Sequence, residues 1–280
     1  MIYDCFTFNN ELDILDIRLH ELAGLVDRFI LVEADQTFKG NPKPLYYDNN
    51  KCLFKKFRDK IIHVVCDFPT RPDNLFLKKY NEAWAKQYFQ RDQIGSGLAS
   101  AGADDLIIVS DVDEIFSARK LEYALSVRSK YDLTIFEMGV YFGYLNRRKK
   151  GQVWLGPRMI EHSRFSSAQK LRMTKFLGSK SLGDSLVRRA HTRLLNLIRC
   201  NIGAPILRIQ DAGWHFTSIG GWEDFRVKAR SVSTETWMKH NMFQSEKTYM
   251  DYVERTTEPV DPSELPIFIQ NNPSRFEFLP

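Results

Sequence analysis

The chain is poor in cysteine. Its 280 residues hold four, Cys5, Cys52, Cys66 and Cys200, and no two of them form a CxxC pair. That spacing argues against a thiolate zinc site or a redox couple. The four read as reduced, mostly core thiols of a cytoplasmic protein. Long apolar runs are missing too: no window approaches the ~18 uninterrupted apolar residues that a spanning helix needs. The first apolar stretch, MIYDCFTF, carries Asp4 and has no basic lead-in, so it does not read as a secretory signal. No repeat or low-complexity tract stands out. What is present is ordinary for a globular protein: 43% hydrophobic and 27% charged residues, with enough length to bury a sizeable core. Phenylalanine (20) and tyrosine (11) are plentiful. Such residues suit cores and also the walls of sugar sites.

The net charge of +5 is unremarkable, but its distribution is not. Between Arg147 and Cys200 there are fourteen Lys/Arg against two acids, Glu161 and Asp184, so this segment is strongly basic and the rest of the chain is net negative. Within it, Arg188, Arg189, Arg193 and Arg199 interleave with Leu186, Val187, Leu194, Leu195, Leu197 and Ile198. A basic amphipathic helix over 184–200 reads as a membrane-surface element, aimed at anionic lipid or a lipid-linked acceptor. The equal alternative is a solvated helix packed on the core by its apolar side. Nucleic acid is disfavoured: no nucleic-acid motif accompanies the charge, and the pI of about 8.9 falls short of the usual footprint.

Along the chain, strand and helix patterns alternate. IYDCFTF (2–8), RFILVEA (28–34), KIIHVVCDF (60–68) and DLIIVS (105–110) read as strands. Leu12, Leu15, Leu19 and Leu22 share a helical face, with Asn10 as a candidate cap and Asp13 three residues on. Helical spacing recurs at 77–94 and 118–131. That order predicts an α/β fold with a mostly parallel sheet covered by helices. Beyond 132 the pattern changes. Residues 132–146 read as a long strand or hairpin arm, 153–160 as a shorter strand, and 205–221 as a strand running into a Gly-rich turn. WEDFRVKARSV and SEKTYMDYVERT read as helices, and the tail from Glu258 as a packed irregular or partly mobile segment.

In parallel sheets, ligands gather beyond the carboxyl ends of the strands. Here those ends hold Asn9-Asn10-Glu11, Glu33-Ala34-Asp35, Asp67 and, most pointedly, LIIVSDVDEIF (106–116). Burying unpaired carboxylates is costly, so something must meet Asp111, Asp113 and Glu114 there. In an extended segment residues i and i+2 point the same way, so Asp111 and Asp113 can face one ligand. Two hard oxygen donors suit Mg²⁺ or Mn²⁺, which share their remaining positions with water and phosphates. The blander reading is that Asp113 or Ser117 caps the next helix.

At these residues the sequence resembles a glycosyltransferase of the GT-A type, whose signature is Asp-x-Asp after a hydrophobic strand. More closely it resembles glycosyltransferase family 17, the β-1,4-mannosyl-glycoprotein 4-β-N-acetylglucosaminyltransferases. YDCFTFNNELDILDIRLHEL (3–22), VDRFILVEADQTFKG (26–40), FQRDQI (89–94), SDVDEI (110–115) and DAGWHFTSIGG (211–221) carry the resemblance. They span roughly three quarters of the chain in the family's order, and the basic segment 163–200 carries none of it.

The resemblance implies one GT-A-like, Rossmann-type domain over 1–280, with a nucleotide-sugar and metal half at 1–131 and an acceptor half at 132–280. It further implies a UDP-sugar donor (UDP-N-acetylglucosamine first), Mn²⁺ or Mg²⁺, and inversion to a β-linkage. The chain is expected to do without the membrane anchor and lumenal cysteines of the vertebrate members, so the expected acceptor is a bacterial surface polysaccharide or lipid-linked oligosaccharide. The expected location is cytoplasmic, peripheral on the inner membrane face.

Asp111, Asp113 and His215 are the candidate metal ligands, and a core histidine is the alternative for His215. Asn10, Glu33, Asp35, Arg91 and Asp111 are candidates for holding the donor, with Lys39 and Arg71 weaker. For Arg91 a surface ion pair with Asp92 or Glu82 is an equal reading. Trp214 and Trp222 could stack on a sugar, though packing is the commoner fate of tryptophan. Inversion needs a general base: Asp211 first, then Glu223, then Glu137. Two alternatives stay open: a carboxylate- or metal-dependent hydrolase, and a non-catalytic polyanion- or membrane-binding module.

Overall fold

The computed structural model describes residues 1–68, 82–175, 186–203, 205–231, 238 and 240–276. In chain order these form β1 (Ile2–Phe8), α1 (Leu12–Leu22), β2 (Arg28–Ala34), α2 (Tyr46–Asn50), β3 (Ile61–Cys66), α3 (Glu82–Asp92), α4 (Ile94–Gly97), β4 (Leu106–Asp111), β5 (Glu114–Phe116) and α5 (Ala118–Val127). There follow β6 (Leu133–Phe136), β7 (Met138–Gly143), β8 (Arg147–Trp154), β9 (Arg158–Glu161), α6 (Ala168–Arg172), α7 (Leu186–Cys200), β10 (Ile206–Ile209), β11 (Gly213–Ile219), α8 (Gly221–Ser231), a helix over Glu246–Thr256 and β12 (Thr257–Pro259).

The larger sheet has seven strands in the order β10-β6-β9-β4-β1-β2-β3. β1 pairs in parallel with β2 and β4, and β2 with β3. Only β9 runs against its neighbours. β1 is covered on both faces, which is why its sequence is almost continuously apolar. Phe6 and Phe8 face the cluster that holds α1, while Tyr3 and Cys5 face the one that holds Ile94, Leu98 and Leu171. The expected α/β class, a mostly parallel central sheet flanked by helices, is the fold of the molecule.

A second sheet, β12-β8-β7-β11-β5, was not anticipated from the sequence. It packs on α8 and the helix Glu246–Thr256 through Phe142, Phe225, Tyr249 and Val253. Three stretches expected to be single strands are split between the sheets. Residues 132–146 break at Glu137 into β6 and β7, 153–160 break between Trp154 and Arg158, and 205–221 break at Gln210–Ala212. The splits are held in line by backbone bonds: Glu137 N–H to Ile209 O, Ala212 N–H to Glu137 O and Phe136 N–H to Pro157 O. Asp211 takes φ +49 at one break, a left-handed conformation that aspartate tolerates better than most residues. The tail packs against α1: Phe268 stacks on His20 at 4.0 Å, and Arg275 bonds Asp16 and Asp13. Among the described residues, no helix is long and apolar enough to cross a membrane.

The consequence for the site is positional. β1, β2, β3 and β4 are parallel, so their carboxyl ends share one edge. At that edge β4 leaves the larger sheet, turns through Val112 and Asp113, and enters the smaller sheet as β5. Because β5 pairs antiparallel with β11, His215 lies opposite Glu114. The carboxylate-rich turn therefore sits where the two sheets meet.

Candidate active site

The turn is anchored from beneath by a residue to which no motif pointed. Arg18, on α1, is fully buried. Its guanidinium clasps Asp4 of β1 with Nε at 2.8 Å and Nη2 at 2.5 Å. Its Nη1 donates to the carbonyls of Asp111 (3.1 Å), Val112 (3.3 Å) and Glu114 (2.7 Å), and Nη2 also reaches Ser110 Oγ. One planar fork thus satisfies a buried carboxylate and the backbone of the whole turn, a geometry that lysine cannot reproduce.

Above it, each acid has a cation. Asp111 accepts from Arg91 Nη2 at 2.9 and 3.2 Å and from Arg172 Nη2 at 3.2 Å. Glu114 accepts two bonds from Arg172 at 2.7 Å and one from Trp154 Nε1 at 2.5 Å. Burial alone would raise the Asp111 carboxyl, but Arg91 and Arg172 outweigh it and hold it well below the usual carboxylate range. Asp113 differs. It meets the Lys228 ammonium at 2.7 Å and faces His215 Nε2 at 3.7 Å. Lys228 also lies 3.5 Å from Glu11 Oε1. Burial would lower the lysine, but Asp113 and Glu11 more than reverse it and raise it above its ordinary value.

Two cavities open on this cluster. The first, of about 280 Å³, is walled by Asp111, Asp113, His215, Lys43, Trp84 and Trp154. The second, of about 580 Å³, is walled by Asn10, Tyr144, Phe216, Gly220 and Asp224. Glu11 and Lys228 line both, so this pair forms a shared wall.

Of the residues expected to form the site, Asp111, Asp113 and His215 do face the first cavity. Asn10 lines the second but caps nothing, since the N-cap of α1 is Glu11 without a side-chain bond. Arg91 is buried beneath Asp111, with Nη1 on Gln169 Oε1 at 2.6 Å, and lines neither cavity. It is neither a surface partner of Glu82 or Asp92 nor open to a diphosphate. Glu33 is fully buried, bonded to Tyr47 N and His63 Nε2 and 3.7 Å from Lys43 Nζ. The carbonyl of Asp35 accepts from Lys43 N–H. These two acids hold the lysine that lines the first cavity and do not line it themselves.

Asp211 and Glu223 are 73% and 75% exposed, beside Arg148 and Arg226, and line neither cavity. Glu137 pairs with Arg208 where β6 and β7 part. Trp214 bonds Glu264 O, and Trp222 joins the aromatic cluster with Phe225 and Tyr249. Lys39 donates to Ala229 O, and Arg71 lies outside the described residues. Arg18, Arg172, Lys228, Lys43, Trp84 and Trp154 had no motif to announce them. Arg18 alone left a signal, as a charge among the leucines of an apolar helix face.

The donor chemistry tolerates a divalent ion. Asp113 and His215 offer an oxygen and a nitrogen on the same cavity, and the His215 Nδ1 is buried without a partner. Among the described residues, no group of three His, Cys, Asp or Glu side chains is assembled as a metal site. Asp111, expected as a ligand, is engaged by two arginines. A two-ligand site completed by water and phosphate oxygens is nevertheless a normal setting for Mg²⁺.

Fold and site together define an α/β protein that gathers acids, cations and aromatic rings at the carboxyl edge of a mostly parallel sheet. Residues 1–135 match the family described as Glycosyltransferase family 17. That match covers just under half of the chain. The chain is 23% identical over 309 residues to a human protein named beta-1,4-mannosyl-glycoprotein 4-beta-N-acetylglucosaminyltransferase, covering 99% of this chain and 54% of the human one. The rat protein of the same name is 32% identical over 119 residues, 41% of this chain and 21% of its own length. The chain thus spans about half the length of the human relative. Among solved structures, the inositol-1-phosphate CTP transferase from T. maritima aligns with a TM-score of 0.39 and 11% identity, covering 85% of this chain and 93% of that one.

Proposed function

We propose that the chain transfers a sugar, N-acetylglucosamine first, from a UDP-sugar to a hydroxyl of a glycan or lipid-linked oligosaccharide, with inversion to a β-linkage. The observation that carries the proposal is the shared wall. Two cavities meet at Glu11 and Lys228, with Asp113 beside them on the smaller one, which is what a donor and an acceptor need in order to meet. The donor occupies the smaller cavity. Its diphosphate is drawn by Lys43 and Lys228, while Trp84 and Trp154 offer flat apolar faces to the base and the sugar. Asp113 and His215 would hold Mn²⁺ or Mg²⁺, which as a Lewis acid stabilises negative charge on a leaving diphosphate.

The acceptor occupies the larger cavity. Its hydroxyl oxygen attacks the anomeric carbon from the face opposite the diphosphate. The bond from that carbon to the phosphate oxygen breaks, and its electron pair departs with the nucleotide. The hydroxyl proton passes to Glu11, whose Oε2 is oriented by the Asn9 and Asn10 N–H groups at 3.3 and 3.1 Å. Glu11 replaces Asp211 and Glu223 as the proposed base because it alone of the three lines the cavities.

Thermal stabilisation tests the donor assignment, since a ligand that binds the folded form raises stability by mass action. UDP and its sugars should raise Tm more than GDP or CMP, further with Mn²⁺. The shift with Mn²⁺ should shrink in Asp113→Asn. Equal shifts for all nucleotides, or none, would remove the donor assignment. Turnover of a sugar conjugate with water alone, without nucleotide affinity, would favour the hydrolase reading.

A further inference from the structure

Helix α7 is inside out. If its apolar side packed on the core, Leu194, Leu197 and Ile198 would be buried. They are instead 54%, 46% and 69% exposed, while Thr192, Asn196 and Cys200 are buried. The polar side is latched. Asn196 Oδ1 accepts from Lys175 N–H at 3.1 Å, its Nδ2 donates to Lys175 O at 2.9 Å, and Arg199 Nη1 donates to Met173 O at 2.6 Å. Rolling the helix to hide its leucines would break these bonds and bury Arg193, so the apolar row faces outward by construction. A soluble surface has no use for such a row, and contiguous exposed apolar groups mark an interaction site.

We propose that this face docks on an anionic phospholipid bilayer, with Leu194, Leu197 and Ile198 entering the boundary between headgroups and acyl chains. Charge selects that occupant. Arg193 on the helix and Lys170 and Lys175 beside it are exposed, within a segment where fourteen Lys/Arg oppose two acids. The buried arginines of that segment, Arg158 and Arg172, are spent on carbonyls and on Glu114 and Asp111 and do not count toward the surface. Among the described residues, three such side chains offer roughly 300 Å² against the ~800 Å² that each partner buries in a stable complex, which disfavours a second copy. A narrow apolar row flanked by Lys and Arg, lying flat, is the interfacial-helix pattern. The inference rests on α7 and its surroundings and is independent of the donor assignment.

The test is flotation of the purified chain with vesicles of phosphatidylcholine, alone or doped with phosphatidylglycerol. The chain should bind the doped vesicles, lose binding as salt rises, and bind about tenfold more weakly as Leu197→Ser/Ile198→Ser. Those positions are exposed, so that variant should keep its Tm, and Arg193→Gln should weaken binding without touching the apolar row. The proposal is overturned if the double variant binds as well as the parent, if neutral vesicles bind equally, or if gel filtration shows a dimer that the double variant dissociates.

Discussion

At the scale of single residues, the deepest commitment is Arg18. It neutralises Asp4 and holds the carbonyls of the turn that presents Asp111 and Asp113. Arg18→Met leaves a buried carboxylate unpaired and should cost about 3–5 kcal/mol of stability. Urea unfolding checks this, and a loss below about 1 kcal/mol, the scale of an exposed ion pair, would show that the clasp is dispensable. Arg18→Lys should recover little, because one ammonium cannot span the fork. Asp111 gives a pH signature. Its carboxyl is held below its ordinary value of 3.8, so the stability it contributes is fully present above that pH and drains away as pH falls below it. Asp111→Asn should flatten that acid limb of an unfolding-free-energy profile, and an unchanged limb would mean that Arg91 and Arg172 do not favour the charged form. Gly156 is the crowded point: a Cβ there would press on Trp154, Glu114 and Arg172. Gly156→Ala should lower Tm and weaken nucleotide binding together, as read by calorimetry and titration. Asp111, Asp113 and His215 could be read in the sequence because they stand in short blocks. Lys228 meets Asp113 across 115 positions and Arg172 meets Glu114 across 58, separations at which no local pattern survives.

At the scale of elements, the first four strands were legible because each is a single apolar run ending in polar residues. The second sheet was not. Three of its strands, β7, β8 and β11, share sequence stretches with the larger sheet, and β6 and β7 are both fully buried, so apolar character continues across the break at Glu137. Only Leu155-Gly156-Pro157 carries turn residues. Helix α7 was legible in its period, but the sequence left open whether its apolar row faces outward or packs on the core, and the structure turns it outward. Two bonds from Asn196 to Lys175, which no periodicity encodes, outweigh the tendency of leucine to turn inward. Asn196→Ala should cost about 1–3 kcal/mol and speed amide exchange in α7 selectively, leaving β1, β2 and β4 unchanged. Uniform acceleration across the fold would contradict a local latch.

At the scale of the whole molecule, two sheets diverge at one carboxylate-rich turn, and a cavity lies on either side of the wall formed by Glu11 and Lys228. The larger sheet supplies the strand ends and the smaller one supplies His215 and Trp154, so the first cavity exists only because both sheets are present. The central claim is that this wall separates a sugar donor from its acceptor. Its most direct test compares Glu11→Gln with the parent chain in two readouts, titration with UDP-N-acetylglucosamine and transfer to an oligosaccharide acceptor. Loss of a general base should lower transfer about 10²–10⁴-fold while donor affinity changes little. Transfer that persists at the parent rate, or donor binding that falls in step with it, would contradict the claim.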